Sequence, residues 1–278
     1  MNTMTDHIVQ EESRRFGTSF LSEVTVLILT ANEAPNIGRT LGKLQRIRRV
    51  IVVDSFSDDR TLEIIRKHGS VELRQRHFDS HADQWNFGID QVKSEWVLAL
   101  DADYQLTDSF VSELETLSPS AAVDAYYVRF KYCIGGKALR GTLYPPRAVL
   151  FRRSRCRYEQ HGHTQVLKID GEYRWLRSSI YHDDRKPLSD WLKAQDRYAV
   201  LEAKHLLTKP IHQLNVADRL RRLILPAPLL VFLYTLFIKR SILDGWPGWY
   251  YVFQRTLAEA LLSLRLVEAK LSSRRLLE

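Results

Sequence analysis

The sequence predicts an α/β protein with a mixed, mostly parallel sheet flanked by helices. Four short apolar runs in the N-terminal half are typical of buried strands, and helix-like segments separate them. The runs are Val24–Leu29, Val50–Val53, about Val71–Arg74, and Trp96–Leu100. Alternation of strands and helices favours a parallel sheet. With 278 residues, 45% of them hydrophobic, the chain has room for one large domain and an appendage.

Polar residues follow three of these strands. The first leads into Thr30-Ala31-Asn32-Glu33, the second into Asp54-Ser55, and the fourth stops at Asp101-Ala102-Asp103. Open α/β sheets bind ligands at the carboxyl ends of their strands, so these side chains are candidate site residues. Two carboxylates there suit Mg²⁺ or Mn²⁺, and such an ion binds a diphosphate. The structural alternative is that the two aspartates only cap the next helix.

Several classes of protein are disfavoured. No G-x-G-x-x-G follows a strand and no G-x-x-x-x-G-K-[ST] exists, so side chains and a metal would have to hold a nucleotide. The net charge of +8 admits nucleic acid, but no recognised RNA or DNA module is present, and we expect no such partner. Cys133 and Cys156 lack metal-site spacing, which favours reduced thiols in the cytoplasm. Residues 1–21 lack an apolar core, so we expect a flexible arm and no signal peptide.

Four motifs together resemble family 2 inverting glycosyltransferases of GT-A fold, a Rossmann-like nucleotide-diphospho-sugar transferase fold. The branch they resemble acts in lipopolysaccharide core and capsule synthesis. The matching segments are Thr30-Ala31-Asn32-Glu33 with Asn36-Ile37-Gly38, the stretch Val52–Thr61, Gln84-Trp85-Asn86, and Leu98–Asp103. The resemblance implies that one group of residues surrounds the uridine and ribose: Thr30, Asn32, Glu33, Asp54, Asp83 and Asn86. It also implies that Asp101 and Asp103 bind the metal, Mn²⁺ or Mg²⁺, and the diphosphate.

This resemblance implies an enzyme that moves a sugar from a nucleotide sugar, with UDP-hexose favoured, to a lipid-linked or envelope glycan acceptor. Two alternatives stay open. One is a catalytically silent relative that binds nucleotide sugar and acts as a partner in envelope polysaccharide assembly. The other is a phosphohydrolase, because Asp101-Ala102-Asp103 also resembles the start of a D-x-D-x-[TV] signature, although Gln105 occupies its fifth position.

The general base is an open question. In that branch of the family the base is an acidic residue directly after a His, and Thr164 stands at this position after His163. A Thr hydroxyl is a poor base, which leaves His163, Glu159 and the pair Asp183-Asp184. The structural alternatives are polar residues on a strand face and an N-cap for the following helix.

A predicted hairpin connects these candidates. Val166–Ile169 and Glu172–Leu176 flank Asp170-Gly171, a two-residue turn signal that would return His182 close to His163. We rank Asp183 and His163 nearly equal. We prefer Asp183, with Asp184 supporting it, because inverting relatives use a carboxylate.

The C-terminal part changes character after the amphipathic segment Leu188–Leu207. We predict a catalytic domain over 22–208, with a nucleotide-binding half over 22–118 and an acceptor half over 119–208, and a helical tail over 209–278. In the tail, Leu223–Ile238 is an apolar run of sixteen residues, which we expect its two prolines to bend. A bilayer span needs about 20 apolar residues, so this run is short.

We therefore expect the tail to be a peripheral, monotopic or re-entrant element. It would lie at an anionic membrane surface, on the cytoplasmic face of the inner or plasma membrane. The rings of Trp246–Phe253 suit the headgroup level. The alternative is a soluble helical pair that packs on the catalytic domain or on a second subunit, so a homo-oligomer stays open.

Overall fold

The first half of the protein is a parallel sheet with helices between its strands. The computed structural model describes residues 19–161 and 164–275. Strands β1 to β4 are Val24–Thr30, Val50–Asp54, Val71–Gln75 and Trp96–Asp101. They lie in the order β3-β2-β1-β4, and each neighbouring pair is parallel. The four predicted strands are confirmed.

Short helices follow the strands and cover the sheet. They are α1 (Ile37–Gly42), α2 (Thr61–Arg66), α3 (His81–Gln91) and α4 (Asp108–Glu115). Ser80 and Thr107 cap α3 and α4, because each side-chain oxygen accepts a backbone N–H of the first turn. Trp85 and Ile89 of α3 join the main hydrophobic core with strand residues such as Leu27.

The second half of the sheet runs antiparallel. The remaining strands of the described chain are β5 (Tyr104–Gln105), β6 (Val123–Ile134), β7 (Lys137–Ala138), β8 (Arg147–Arg152), β9 (Cys156–His161), β10 (Thr164–Ile169) and β11 (Glu172–His182). The large sheet continues from β4 through β8, β6 and β11 to β5, whereas β9 and β10 pair separately. The pairs β4–β8, β6–β8 and β5–β11 are antiparallel. The predicted mixed α/β sheet is confirmed, and its parallel part is the N-terminal half.

The predicted hairpin around Asp170-Gly171 is wrong. Strand β10 pairs with β9, and β11 joins the large sheet beside β6. The physical reason is a contact that the turn makes with the start of β6. Glu172 N donates to Ala122 O at 3.3 Å, and a Cβ at Gly171 would meet Asp124 Oδ2 at 2.2 Å. This close approach directs β11 along β6 instead of back along β10.

The chain forms two compact units. The first consists of the described residues up to Phe130 together with 145–159 and 166–184, and the second comprises 131–144, the described part of 160–165, and 185–275. Cys133 and Cys156 are buried and free of a disulfide. The predicted domain bounds at 22–208 and 209–278 stay a prediction.

The second unit is mainly helical. Its helices are α5 (Leu188–Thr208), α6 (Val216–Arg222), α7 (Pro226–Leu233) and α8 (Trp246–Arg275). A π-helical turn, Tyr234–Ile238, follows α7, and a short 3₁₀ turn, Ser241–Asp244, precedes α8. Helices α5 and α8 pack through a core that includes Ala203, Leu206, Leu262 and Leu266.

The prolines of the apolar run act differently from our prediction. Pro226 is the first residue of α7, and Pro228 lies in the same first turn. A missing N–H is tolerated in the first turn, so the prolines begin a helix and do not bend one. Among the described residues, no helix combines the length and the apolar character that a bilayer crossing requires.

Candidate active site

The loops after β1 and β2 are tied together at the carboxyl end of the parallel strands. Thr30 Oγ1, at the end of β1, donates to Asp54 Oδ2, at the end of β2, at 2.8 Å. Asp54 also accepts the backbone N–H of Ser57 at 2.8 Å and its hydroxyl at 2.5 Å. Thr30 and Asp54 are buried, so this carboxylate fixes both loops.

Asn32 and Glu33 make further bonds between the same loops. The Asn32 N–H donates to Ser57 Oγ at 2.9 Å, and Asn32 Oδ1 accepts the Asp58 N–H at 3.0 Å. Asn32 has φ 55°, a left-handed conformation that asparagine tolerates better than most residues. The Glu33 N–H donates to Thr61 Oγ1 at 2.7 Å. These polar groups therefore form a hydrogen-bonded rim.

The end of β4 meets the end of β11. In the antiparallel β5–β11 pair, His182 lies opposite Tyr104, and the Asp183 N–H donates to Asp103 O at 3.0 Å. A ring nitrogen of His182, Nε2, lies 2.9 Å from Asp103 Oδ2. The structure therefore brings together Asp103 and the His182–Asp184 segment.

Arg39 of α1 and Asn36, the residue that precedes this helix, connect the His182–Asp184 segment to the β1 loop. Arg39 Nη1 donates to Asp183 Oδ2 at 2.8 Å, and Arg39 Nη2 donates to Asp183 O at 2.8 Å. Asn36 Nδ2 donates to Asp184 Oδ1 and to Glu33 Oε2, each at 2.8 Å. One face of a short helix thus holds both aspartates that follow His182.

The two aspartates differ in exposure and in partner. The Asp183 side chain is 6% exposed and forms an ion pair with Arg39. Asp184 is half-buried, and a neutral amide donates to it. Asp184 is therefore the more accessible carboxylate of the pair.

His182 lies among carboxylates. Burial disfavours the charged imidazolium. The negative charge of Asp103, with smaller contributions from Asp101 and Asp184, outweighs burial and raises the pKa of His182. The imidazole therefore binds a proton more readily than an exposed histidine does.

Two of the predicted nucleotide-binding residues, Asp83 and Asn86, lie on α3, whose Gln84 Nε2 donates to Ser55 Oγ of the β2 loop at 3.0 Å. Asp83, exposed in the first turn of α3, accepts the Ser80 hydroxyl at 2.7 Å, and its N–H donates to Ser80 at 3.1 Å. Asn86 exchanges two hydrogen bonds with the backbone of Tyr158, at 2.9 and 3.0 Å. These contacts cap a helix and anchor β9. His163 lies outside the described residues, and the side chain of Thr164 is also not described.

The metal prediction rests on the chemistry of the donors. Among the described residues, no three His, Cys, Asp or Glu side chains converge as an ion-binding group. Asp101 and Asp103 nevertheless supply the hard oxygen ligands that Mg²⁺ prefers. This ion is commonly held by one or two carboxylates together with substrate phosphates and water. Asp101 and Asp103 therefore fit an ion whose remaining coordination positions substrate phosphates and water would fill.

The family follows from a comparison with known proteins. The family model described as glycosyl transferase family 2 matches residues 25–181, more than half of the chain. The chain belongs to glycosyltransferase family 2. The matched range contains the loops after β1, β2 and β4, and it ends just before His182. The predicted family is therefore confirmed. Family membership together with the mixed α/β sheet confirms the predicted GT-A fold.

Individual relatives are more distant. An uncharacterized glycosyltransferase of Rickettsia bellii (strain RML369-C) is 31% identical over 105 residues, 37% of this chain and 35% of the relative. LpsC of Rhizobium meliloti (strain 1021), a lipopolysaccharide core biosynthesis glycosyltransferase, is 24% identical over 190 residues, 65% of this chain and 70% of LpsC. The crystal structure of S. aureus TarS 1–349 in complex with UDP-GlcNAc has a TM-score of 0.46 and 15% identity. That match covers 90% of this chain and 91% of that one.

The chain matches little more than a third of the length of the Rickettsia glycosyltransferases, between 35% and 38% of each. The activity, substrates and partners of the whole protein are therefore matters for proposal.

Sequence reasoning missed several residues of the site. Asn36 was noted only as part of a motif, and Arg39 was not noted, although their spacing of three places both on one face of a helix. Phe56 was also missed. It is 48% exposed, has φ 59°, and stacks on His77 with ring centroids 4.2 Å apart. An exposed aromatic residue in a left-handed conformation is strained, and strain of this kind concentrates at functional sites.

Proposed function

We propose that this protein is an inverting hexosyltransferase. It moves a sugar from a UDP-sugar to a lipid-linked or envelope glycan acceptor, with the help of Mn²⁺ or Mg²⁺. One observation carries the proposal: a single hydrogen-bonded network joins Asp103, His182 and Asp184 to the loops at the carboxyl ends of the parallel strands. Family membership supports the reaction class. The likeness to LpsC supports an envelope glycan as the acceptor.

The donor half of the reaction belongs to the β1, β2 and β4 loops. Thr30, Asn32 and Glu33 on one loop, and Asp54 on the next, offer donors and acceptors for a nucleoside. Asp101 and Asp103 would hold the ion, which neutralises charge on the departing diphosphate. His182 bonds to Asp103, so it orients this carboxylate and balances its charge.

The acceptor half needs a base. The acceptor hydroxyl attacks the anomeric carbon as the bond to the diphosphate breaks, and its proton passes to the base. We assign this base to Asp184, because Asp183 is buried in its ion pair with Arg39 whereas Asp184 is more accessible. Arg39 and Asn36 then act as positioning residues that hold the two aspartates. Asp183 and His163 remain the alternatives that the sequence raised.

UDP release by the purified full-length protein, measured over a panel of UDP-sugars with glycan acceptors and Mn²⁺, tests the proposal. Asp103→Asn removes one ligand charge. We expect it to abolish transfer and to weaken UDP binding only when metal is present. Asp108→Asn is the matched control, because Asp108 is an exposed aspartate five residues later, and we expect it to behave as wild type.

Two results would contradict the proposal. Equal UDP affinity of wild type and Asp103→Asn in saturating Mn²⁺ would remove Asp103 from the donor site. UDP-sugar binding without turnover across the whole panel would favour the catalytically silent relative, the alternative that Thr164 at the expected base position supports.

A further inference from the structure

The second unit carries an exposed surface that a soluble helix would not present. All exposed residues between Leu225 and Ile238 are apolar or aromatic. We call six of them the apolar stripe: Leu225, Leu229, Leu230, Leu233, Phe237 and Ile238. Tyr234 is exposed beside them. Large contiguous apolar patches on a protein surface mark an interaction site.

The stripe lies on one side of its helix. Four members recur every four residues, as 225, 229, 233 and 237, and the other two, 230 and 238, lie eight residues apart, so the stripe follows one face from the start of α7 to the π-helical turn. Ala227, Thr235 and Leu236 on the opposite side are buried. The stripe is therefore the face of this helix that stays exposed when the opposite face packs against the second unit.

Aromatic side chains extend this surface. Phe232 of α7 lies 6.4 Å from Trp249 at the start of α8, measured between ring centroids. In that first part of α8, Trp246 is 84% exposed and Phe253 is 55% exposed. Both residues line an open cavity of about 440 Å³. Tryptophan rings suit the boundary between apolar and aqueous phases.

The charges around the stripe have one sign. Residues 209–245 contain six Lys and Arg residues and only two acids, Asp218 and Asp244, which are both buried. Arg221 is held by Glu259 at 2.7 Å and is not available to a partner. Arg219 and Arg222 flank the N-terminal end of the stripe, and Lys239 and Arg240 follow its C-terminal end. Two copies that met through this surface would bring like charges together, whereas an anionic surface would attract them.

We propose that the apolar stripe docks the protein on an anionic lipid bilayer. The helical segment from Pro226 to Ile238 is roughly 20 Å long at 1.5 Å per residue, shorter than the hydrocarbon core of about 30 Å. It therefore lies in the plane of the interface, with its leucines among the acyl chains and its cations at the headgroups. This surface does not depend on the proposed transferase activity.

Co-sedimentation of the full-length protein with vesicles tests the proposal. One set of vesicles is phosphatidylcholine alone, and the other contains equal parts of phosphatidylcholine and phosphatidylglycerol. We expect the wild type to bind the mixed vesicles at least about tenfold more tightly. The double variant Leu233→Glu/Phe237→Glu should lose about tenfold or more of its affinity for the mixed vesicles. Lys239→Gln/Arg240→Gln should lose only the preference for the anionic vesicles.

Matched controls come from α5 of the same unit. Leu192 and Leu201 are exposed leucines outside the stripe, and Lys193 and Lys204 are exposed lysines. Leu192→Glu/Leu201→Glu and Lys193→Gln/Lys204→Gln should bind as the wild type does. Thermal unfolding of each variant checks that it is folded. If the apolar variant is unfolded, the lysine–arginine variant and quenching of wild-type tryptophan fluorescence by acyl-chain-brominated lipid decide the question.

Three results would overturn the proposal. The first is a wild type that does not sediment with mixed vesicles and shows no quenching by brominated lipid. The second is a folded Leu233→Glu/Phe237→Glu variant that binds the mixed vesicles as tightly as the wild type does. The third is a lipid-free wild type that is a dimer and becomes a monomer in this variant, which would assign the stripe to a second copy of the chain.

Discussion

Asp183 and Asp184 are neighbours in the chain, yet their surroundings differ. Arg39 pairs with the Asp183 side chain and also donates to the carbonyl oxygens of Asp183 and Pro35 and to Asn36 Oδ1, so a neutral side chain at 183 removes the charge that faces the guanidinium and leaves its other acceptors in place. Asp184 is half-buried and accepts from the amide of Asn36. Under the proposed function, Asp183 holds the segment in place and Asp184 accepts the proton.

We predict that substitution of Asp183 and substitution of Asp184 have different effects on activity and on stability. Asp184→Asn should lower kcat about 10²- to 10⁴-fold while UDP binding is retained, because a general base contributes on that scale. Asp183→Asn should reduce the free energy of unfolding by about 1–3 kcal/mol, because the variant keeps an acceptor oxygen but loses the charge that pairs with Arg39. Steady-state kinetics and denaturant unfolding measure the two effects. Near wild-type turnover in Asp184→Asn would transfer the role of base to Asp183 or His163.

At the residue scale, the sequence allowed us to predict site residues that belong to local motifs. Thr30 and Asp54 each end a recognisable strand, and the structure brings them together as the parallel order requires. The contact between Arg39 and Asp183 spans 144 residues, and its existence depends on how β11 reaches the sheet. No local pattern encodes that path. The resemblance assigns Asn86 to the nucleotide, and this stays a prediction; in the structure its amide bonds to the backbone of Tyr158.

At the scale of elements, the Asp170-Gly171 turn shows that tertiary contacts, and not the local turn sequence, decide which strands pair. An Asp-Gly pair favours a chain reversal, and we predicted from it that the flanking strands pair. The strands that flank it pair with β9 and with β6, because the contact with residues 122–124 sets the direction of β11. Strands β1, β2 and β4 of the parallel half were predictable because each is apolar and buried along most of its length.

We predict that Gly171→Ala destabilises the protein by about 1–3 kcal/mol, because the new methyl group would overlap the carboxylate of Asp124. Gly69→Ala is the matched control, because open space surrounds a Cβ at Gly69. We expect this control to be neutral or slightly stabilising. Thermal unfolding of both variants measures the difference, and equal midpoints would mean that the turn has room to shift.

Helix α4 is fastened to β11 by one carboxylate. Burial disfavours ionisation of Glu113, but the backbone N–H groups of Arg177 and Ser178, each 2.8 Å from a carboxylate oxygen, outweigh burial and lower the pKa of Glu113. A lowered folded-state pKa adds stability above the pKa of the unfolded chain, about 4.3 for Glu. This stability is lost as the pH falls through the folded-state pKa.

We therefore predict a pH-dependent effect of Glu113→Gln. The variant keeps one acceptor oxygen and loses the charge, so it should be about 1 kcal/mol less stable than wild type at neutral pH. The difference should shrink as the pH falls through the folded-state pKa of Glu113. Glu115→Gln on the same helix removes only a surface ion pair with Arg46 and should cost about 0–1 kcal/mol. Denaturant unfolding at neutral and acidic pH measures both, and a difference that persists unchanged in acid would contradict the role of the charge.

At the scale of the whole molecule, the division into two units separates the proposed chemistry from the proposed docking. Every contact of the candidate site that we describe lies within the first unit, and the apolar stripe lies within the second. A ligand stabilises the structure to which it binds, by about 2.7 kcal/mol at a concentration one hundred times its Kd. Ligand effects on hydrogen exchange therefore assign each site to its unit.

We predict that UDP with Mn²⁺ increases hydrogen-exchange protection of the backbone after β1, β2 and β4 and of β11, and leaves α7 and α8 unchanged. In the proposed site the ligand would bond to loops whose amides already take part in the network around Asp54 and Asp103, and opening of those loops would break the new contacts. Mass spectrometry of peptides from the full-length protein measures the change, with Asp103→Asn as the control that should lose it. Protection that rose equally along α8 would mean that the two units respond to the donor as one cooperative body.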